Sequence, residues 1–166
     1  MSLEPVPATT AVDGTARRLR HGLYLIAMLT EGGALLELAL LRHWKTPVQV
    51  IPWIVLGTLL IATAVAWWGP PRFRAGVRVV SYLAVPAAAF GVWEHIEANH
   101  NAGPLDFRYA AKWTTMSAWS QWWTAATKGV GPSPPLTPAL LALVALMILI
   151  ATAAPKRTTT ESVDRD

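Results

Sequence analysis

Long apolar runs, broken by short charged or proline-rich stretches, set the pattern of the chain. A helix needs about 20 largely apolar residues to cross a bilayer. Thr46 to Pro71 contains no charged residue, and its cleanest part is 49–68, ended by Gly69-Pro70-Pro71. A second clean run, 136–154, is preceded by Pro132, Pro134 and Pro135 and closed by Pro155-Lys156-Arg157. Proline is tolerated at a helix start and stops a helix just past its end. Two further runs carry acids: 22–41 holds Glu31 and Glu37, and 76–96 holds Glu94 and His95 near its end. Between Arg78 and Glu94 the apolar stretch is too short to cross alone, so the third span must take in the acidic end or tilt. The pattern predicts an all-α protein, a four-helix transmembrane bundle running up-down-up-down.

About forty residues separate the third and fourth runs, and a loop of that length without structure is uncommon. Tyr109, Trp113, Met116, Trp119, Trp123 and Ala126 recur at steps of three or four. This spacing predicts one amphipathic helix near 107–127. Trp and Tyr favour the membrane–water interface, so Trp113, Trp119, Trp122 and Trp123 are expected to hold that helix on the bilayer surface or as a lid over the bundle. Residues 1–16 and 158–166 are polar or Pro/Thr/Ala-rich and are expected to be disordered cytoplasmic ends flanking a membrane domain at 17–157.

Composition agrees with this reading. Of 166 residues 53% are apolar and 14% charged, whereas soluble domains carry about 25% charged residues. Cysteine is absent, which removes disulfides, thiol catalysis, zinc-thiolate sites and covalent haem attachment. The net charge of +4 is accounted for by arginines beside the spans. Arg17, Arg18, Arg20, Arg72, Arg74, Arg78, Lys156 and Arg157 fall on one side, which predicts that both termini are cytoplasmic. No basic soluble face for nucleic acid is present, and neither a phosphate-binding glycine loop nor a serine nucleophile elbow appears.

The polar chemistry gathers at the opposite, outer end. Glu37, Glu94 and Glu97 and three of the four histidines, His43, His95 and His100, lie there. They come from the ends of the first and third spans, so the topology alone brings them to one side. At 1.5 Å per residue Glu31 lies about 15 Å into the first span, near the bilayer midplane. A carboxylate there costs at least about 2.5 kcal/mol, so Glu31 is protonated, hydrogen-bonded or hydrated. Three readings stand together. The first is a polar network pinning helix one to helix three in a non-enzymatic subunit or accessory of a membrane complex. The second is a transition-metal or haem site built from His43, His95, His100 and Glu94 or Glu37, with Glu97, Asn99 and Gln49 as supporting hydrogen-bond partners. The third is a proton-coupled transporter, a homodimer in the simplest case, with Glu31 and Glu37 as proton-handling groups.

The residues Glu37…Arg42-His43-Trp44…Gln49…Ile51-Pro52 and Gly91-Val92-Trp93-Glu94-His95…Asn99 resemble stretches in a group of small four-span bacterial membrane proteins. The resemblance covers about residues 22–101. It implies the fold, contact with the lipid bilayer and a place in the bacterial inner membrane, and it implies no activity. The Ala- and Arg-rich composition agrees with a GC-rich bacterial source.

Overall fold

A computed structural model describes residues 8–153, and these contain helices and turns but no strand. Five α-helices follow in order: α1 Ala8–Leu40, α2 Pro47–Trp68, α3 Arg74–Ala102, α4 Ala118–Ala126 and α5 Ala139–Thr152. Short 3-10 turns lie at Pro71–Phe73, Gly103–Leu105 and Trp113–Thr115. Three helices, α1, α2 and α3, are long and apolar enough to cross a membrane, and α5 is apolar but shorter.

The helix boundaries follow from local chemistry. α1 stops in a reciprocal pair of bonds, His43 N–H to the Leu38 carbonyl at 2.9 Å and Arg42 N–H to the Ala39 carbonyl at 3.0 Å. Arg42 takes the left-handed conformation, φ 51°, that this C-terminal motif requires. Thr46 then caps α2 by accepting from the Gln49 N–H, and Pro47 occupies the first turn. Gln49 Oε1 reaches back to accept from the Lys45 N–H at 2.8 Å, a variant of the reciprocal capping box. Trp53 Nε1 donates to the His43 carbonyl at 2.7 Å and closes the turn.

α5 is the centre of the packing. It lies against α3 and α1 and, more lightly, α2. Leu141, Val144, Ala145, Ile148 and Ala151 are buried along it, and Leu59, Ala27, Ala84 and Ala88 meet them from the other helices. Alanines at these contacts let the helix axes come close. The Tyr24 hydroxyl donates to the Ala151 carbonyl at 3.4 Å, so the end of α5 sits beside the start of α1. The outward faces are apolar too, with Leu29, Leu36, Ile54, Ile61, Leu83 and Ile150 exposed. A helix that is apolar on every side belongs in a core or in lipid, and this outer face matches contact with a bilayer.

α3 runs on to Ala102 and takes in the whole acidic stretch, one of the two ways open to the third span. Three expectations are corrected. α1 already begins at Ala8, so residues 8–16 are helical; residues 1–7 and the tail 158–166 lie outside the described residues. The apolar run 136–154 opens as a turn, and helix starts only at Ala139, after Pro138, whose ring disfavours helical backbone at the preceding Thr137. The single helix near 107–127 is absent. Instead Asp106 Oδ1 accepts from the Arg108 N–H at 3.0 Å, and Ser117, in extended conformation, caps a nine-residue α4. Local side-chain acceptors at Asp106 and Ser117 thus break the run that the aromatic spacing suggested.

Candidate functional site

α1 and α3 pack chiefly against α2 and α5 rather than against each other. Between these four helices, at the end where α1 stops and α5 starts, lies a cavity of about 160 Å3. Its walls are apolar, with Leu38 from α1, Val55 and Leu56 from α2, Phe90 from α3 and Leu141 and Val144 from α5. Glu37, His43, Glu94 and His95 also line it. Gly91 is required here, because a Cβ at that position would stand 2.8 Å from Pro138 Cβ, where α3 meets the chain entering α5.

The hydrogen-bonding state of this polar end can be read from its partners. His95 Nδ1 lies 2.8 Å from the Pro134 carbonyl oxygen. A carbonyl only accepts, so Nδ1 donates this bond, and Nε2 bonds to no described residue. Burial holds the His43 pKa below its ordinary value, and nearby His95 lowers it further, so His43 favours the neutral form. The only ion pair among the described residues is Arg108–Asp106, and that bond pulls the Asp106 pKa down to about 2. Glu37 and Glu94 therefore have no cationic partner among the described residues. No Lys or Arg side chain lines the cavity.

The other expected site residues go elsewhere. His100 stacks on Trp122 at 4.1 Å between ring centroids and meets the edge of Trp113 at 5.5 Å. Trp122 in turn stacks on Trp93. His100 is thus one ring in an aromatic pile that fastens α4 to α3. Trp113 is buried and is not an interface anchor. Trp119 and Trp123 are exposed, at 75% and 59%, and stack on one another, as interfacial residues would. Gln49 is used in capping α2, Glu97 is half-buried, and neither lines the cavity. Among the described residues no three His, Asp or Glu side chains come together as a metal-holding group, so the donor set expected for a metal is divided. An engineered cavity of 150 Å3 holds a single benzene, so a space of about 160 Å3 has no room for a porphyrin.

The polar pins are also different from a helix-one-to-helix-three network. Asn99 on α3 is fully buried. Its Nδ2 donates to the Ser133 carbonyl at 2.7 Å and the Ala125 carbonyl at 3.2 Å, and its Oδ1 accepts from the Ser133 N–H at 2.9 Å. Gly131, at φ +78°, passes so close that a Cβ there would stand 2.3 Å from Asn99 Oδ1. Glu31 on α1 is also fully buried, but faces α2. Thr63 Oγ1 lies 3.0 Å from Glu31 Oε1 and 2.9 Å from the Leu59 carbonyl, while Glu31 Oε2 has no partner among the described residues. Residue order points to Asn99 only as a supporting partner of a metal site, and nothing in it marks the clasp on Ser133 and Ala125. The cavity had one visible signal, the placing of Glu37, His43, Glu94 and His95 at one end of the topology.

Compared with known proteins, the chain matches no family model, no curated protein and no solved structure.

Asn99→Ala removes three hydrogen bonds and strands buried partners, so it should destabilise the fold by about 2–4 kcal/mol, read as a lower midpoint of thermal unfolding in detergent. Asn99→Asp keeps the acceptor but loses the donor and should also destabilise. His43 has its folded pKa depressed, so the unfolded chain binds the proton more readily. Its contribution leaves stability intact above about pH 6.5 and erodes it as pH falls through that value. His43→Gln should flatten the unfolding midpoint between pH 7.5 and 5.5; an unchanged slope would contradict this.

Proposed function

We propose that this chain is a small, non-enzymatic, multi-pass membrane protein whose working part is the Glu/His-ended cavity, a binding site for a small ligand. In this reading the chain is a four-helix transmembrane bundle of a bacterial inner membrane, with the site at the outer face and the arginine-flanked ends and both termini cytoplasmic. α5 joins α1, α2 and α3 as the fourth span, its length completed by the flanking turn. In this setting the protein works as a subunit or accessory of a larger membrane complex or as a homodimer.

One observation carries the reading: an apolar cavity of about 160 Å3 that ends in two carboxylates without partners among the described residues and an imidazole held by the Pro134 carbonyl. Structural polar groups in membrane proteins are normally paired inward; these converge on empty space. Ala87 lines the cavity, so Ala87→Leu should fill it. Ligand-observed NMR with a set of single-ring fragments should find binders to the wild type that Ala87→Leu no longer takes, with unfolding midpoints alike. Identical binding by both proteins would contradict the reading. The absence of cysteine allows a companion test of topology. A membrane-impermeant thiol reagent on intact cells should label Lys128→Cys and spare Arg72→Cys; the opposite pattern would invert the orientation.

A second reading rests on Glu31. The one proton of the Thr63 hydroxyl serves Leu59 or Glu31, but not both. A protonated Glu31 resolves this by donating to Thr63, which then donates to Leu59. That arrangement fits a proton-binding site at mid-membrane and supports proton-coupled transport. Glu31→Gln should leave assembly intact and abolish proton flux in vesicles; flux equal to wild type would remove this reading.

A further inference from the structure

The geometry points to a lipophilic organic cation as the ligand of the cavity: one aromatic ring or a short branched alkyl group carrying a protonated amine, with the apolar part against Leu56 and Val144 and the ammonium toward Glu37 and Glu94. This rests on the cavity being a binding site, as proposed above, and adds which chemistry it selects.

The apolar half of the assignment follows from size and lining. A space of about 160 Å3 walled by Leu, Val and Phe side chains is close to the 150 Å3 that takes up benzene when lined in the same way. One ring fits.

The polar half follows from a count of donors and acceptors. Glu37 and Glu94 offer acceptor oxygens and make no hydrogen bond or ion pair with a described residue. His95 has spent its Nδ1 proton on Pro134. The Thr30 hydroxyl, also on the wall, has spent its proton on the Ile26 carbonyl at 2.9 Å. Among the described residues no Lys, Arg, Asn or Gln side chain reaches the lining, and its free donors are the Thr137 hydroxyl and an N–H of the His43 ring. The four oxygens of Glu37 and Glu94 still outnumber them, and both carboxylates carry the same sign. A carboxylate or phosphate ligand would meet like charge without a single cation to offset it, and a ligand lacking donors would leave the acceptors dry. A protonated amine supplies both the donors and the opposite charge. Beside a low-dielectric wall that attraction is stronger than in water. The wall also gives the ring its reason to enter, since apolar area leaves water.

Three probes share a ring and differ in the head: 2-phenylethylamine, 2-phenylethanol and 3-phenylpropionate. Their binding to the full chain in detergent at pH 7.5 is measured by titration calorimetry, for the wild type, for Glu37→Gln/Glu94→Gln and for Ala87→Leu. The expected result is that 2-phenylethylamine binds at least tenfold more tightly than 2-phenylethanol, that 3-phenylpropionate does not bind, and that the double variant loses the tenfold preference while keeping its unfolding midpoint. Ala87→Leu should lose both binders. Equal binding of amine and alcohol would overturn the cation assignment and leave the cavity reading standing. An amine preference undiminished in the double variant would overturn the role of Glu37 and Glu94. No binding of any of the three would overturn the cavity reading itself.

Discussion

Asn99 spends both ends of its side-chain amide on the chain that enters α5, and the geometry of the site hangs on that clasp. By holding both polar groups of Ser133, it fixes the strand of prolines that follows. Pro134 then lies where its carbonyl receives the His95 ring, and Pro138 lies against Gly91. The same segment supplies Thr137 and Pro138 to the cavity wall. The clasp also reaches Ala125 at the end of α4, so one buried side chain ties α3, α4 and the start of α5 together. A satisfied, buried polar side chain is expensive to lose because every partner is left unpaired in a place water does not reach. That cost is what turns a proline-rich connection, which has few hydrogen bonds of its own, into a fixed wall.

The two ends of the molecule use polar groups in opposite ways. At the arginine end and in the middle they are few and enclosed: Tyr24 bonds to α5 and Glu31 lies between α1 and α2 beside Thr63. At the other end they face open space. Glu37 is exposed and Glu94 half-buried, and neither pairs with another described residue. In a protein whose outer surface is apolar, unpaired carboxylates beside an apolar hollow are the one place where an amphiphile finds both of its halves matched. Burial favours the neutral ring of His43, and the bond to Pro134 fixes the orientation of His95.

Much of this was legible from residue order. The uncharged run of α2 and the arginine clusters fixed three long helices, and the alternation of direction carried Glu37, His43, Glu94 and His95 to one end. What periodicity could not convey was competition from short-range hydrogen bonds. The aromatic spacing from Tyr109 to Trp123 read as one helix, yet Asp106 and Ser117 cap their own neighbours and divide it. Gln49 reads as a supporting partner of a metal site because of its position, but its Oε1 accepts from the Lys45 N–H at the start of α2. His100 read as a ligand because histidine is common at metal sites, but two tryptophans distant in sequence enclose it. Each miss is a side chain claimed by a neighbour that hydropathy does not register.

The central claim is that the space between α1, α2, α3 and α5 is a ligand site with an apolar floor and an acceptor rim. A bromine-labelled probe tests it most directly: the full chain crystallised in lipid with 4-bromo-2-phenylethylamine and measured at the bromine absorption edge. The account predicts one anomalous peak beside Leu56 and Val144, with the amine toward Glu37 and Glu94. Bromine found only on the lipid-facing surfaces, with the cavity filled by its own side chains, would contradict it.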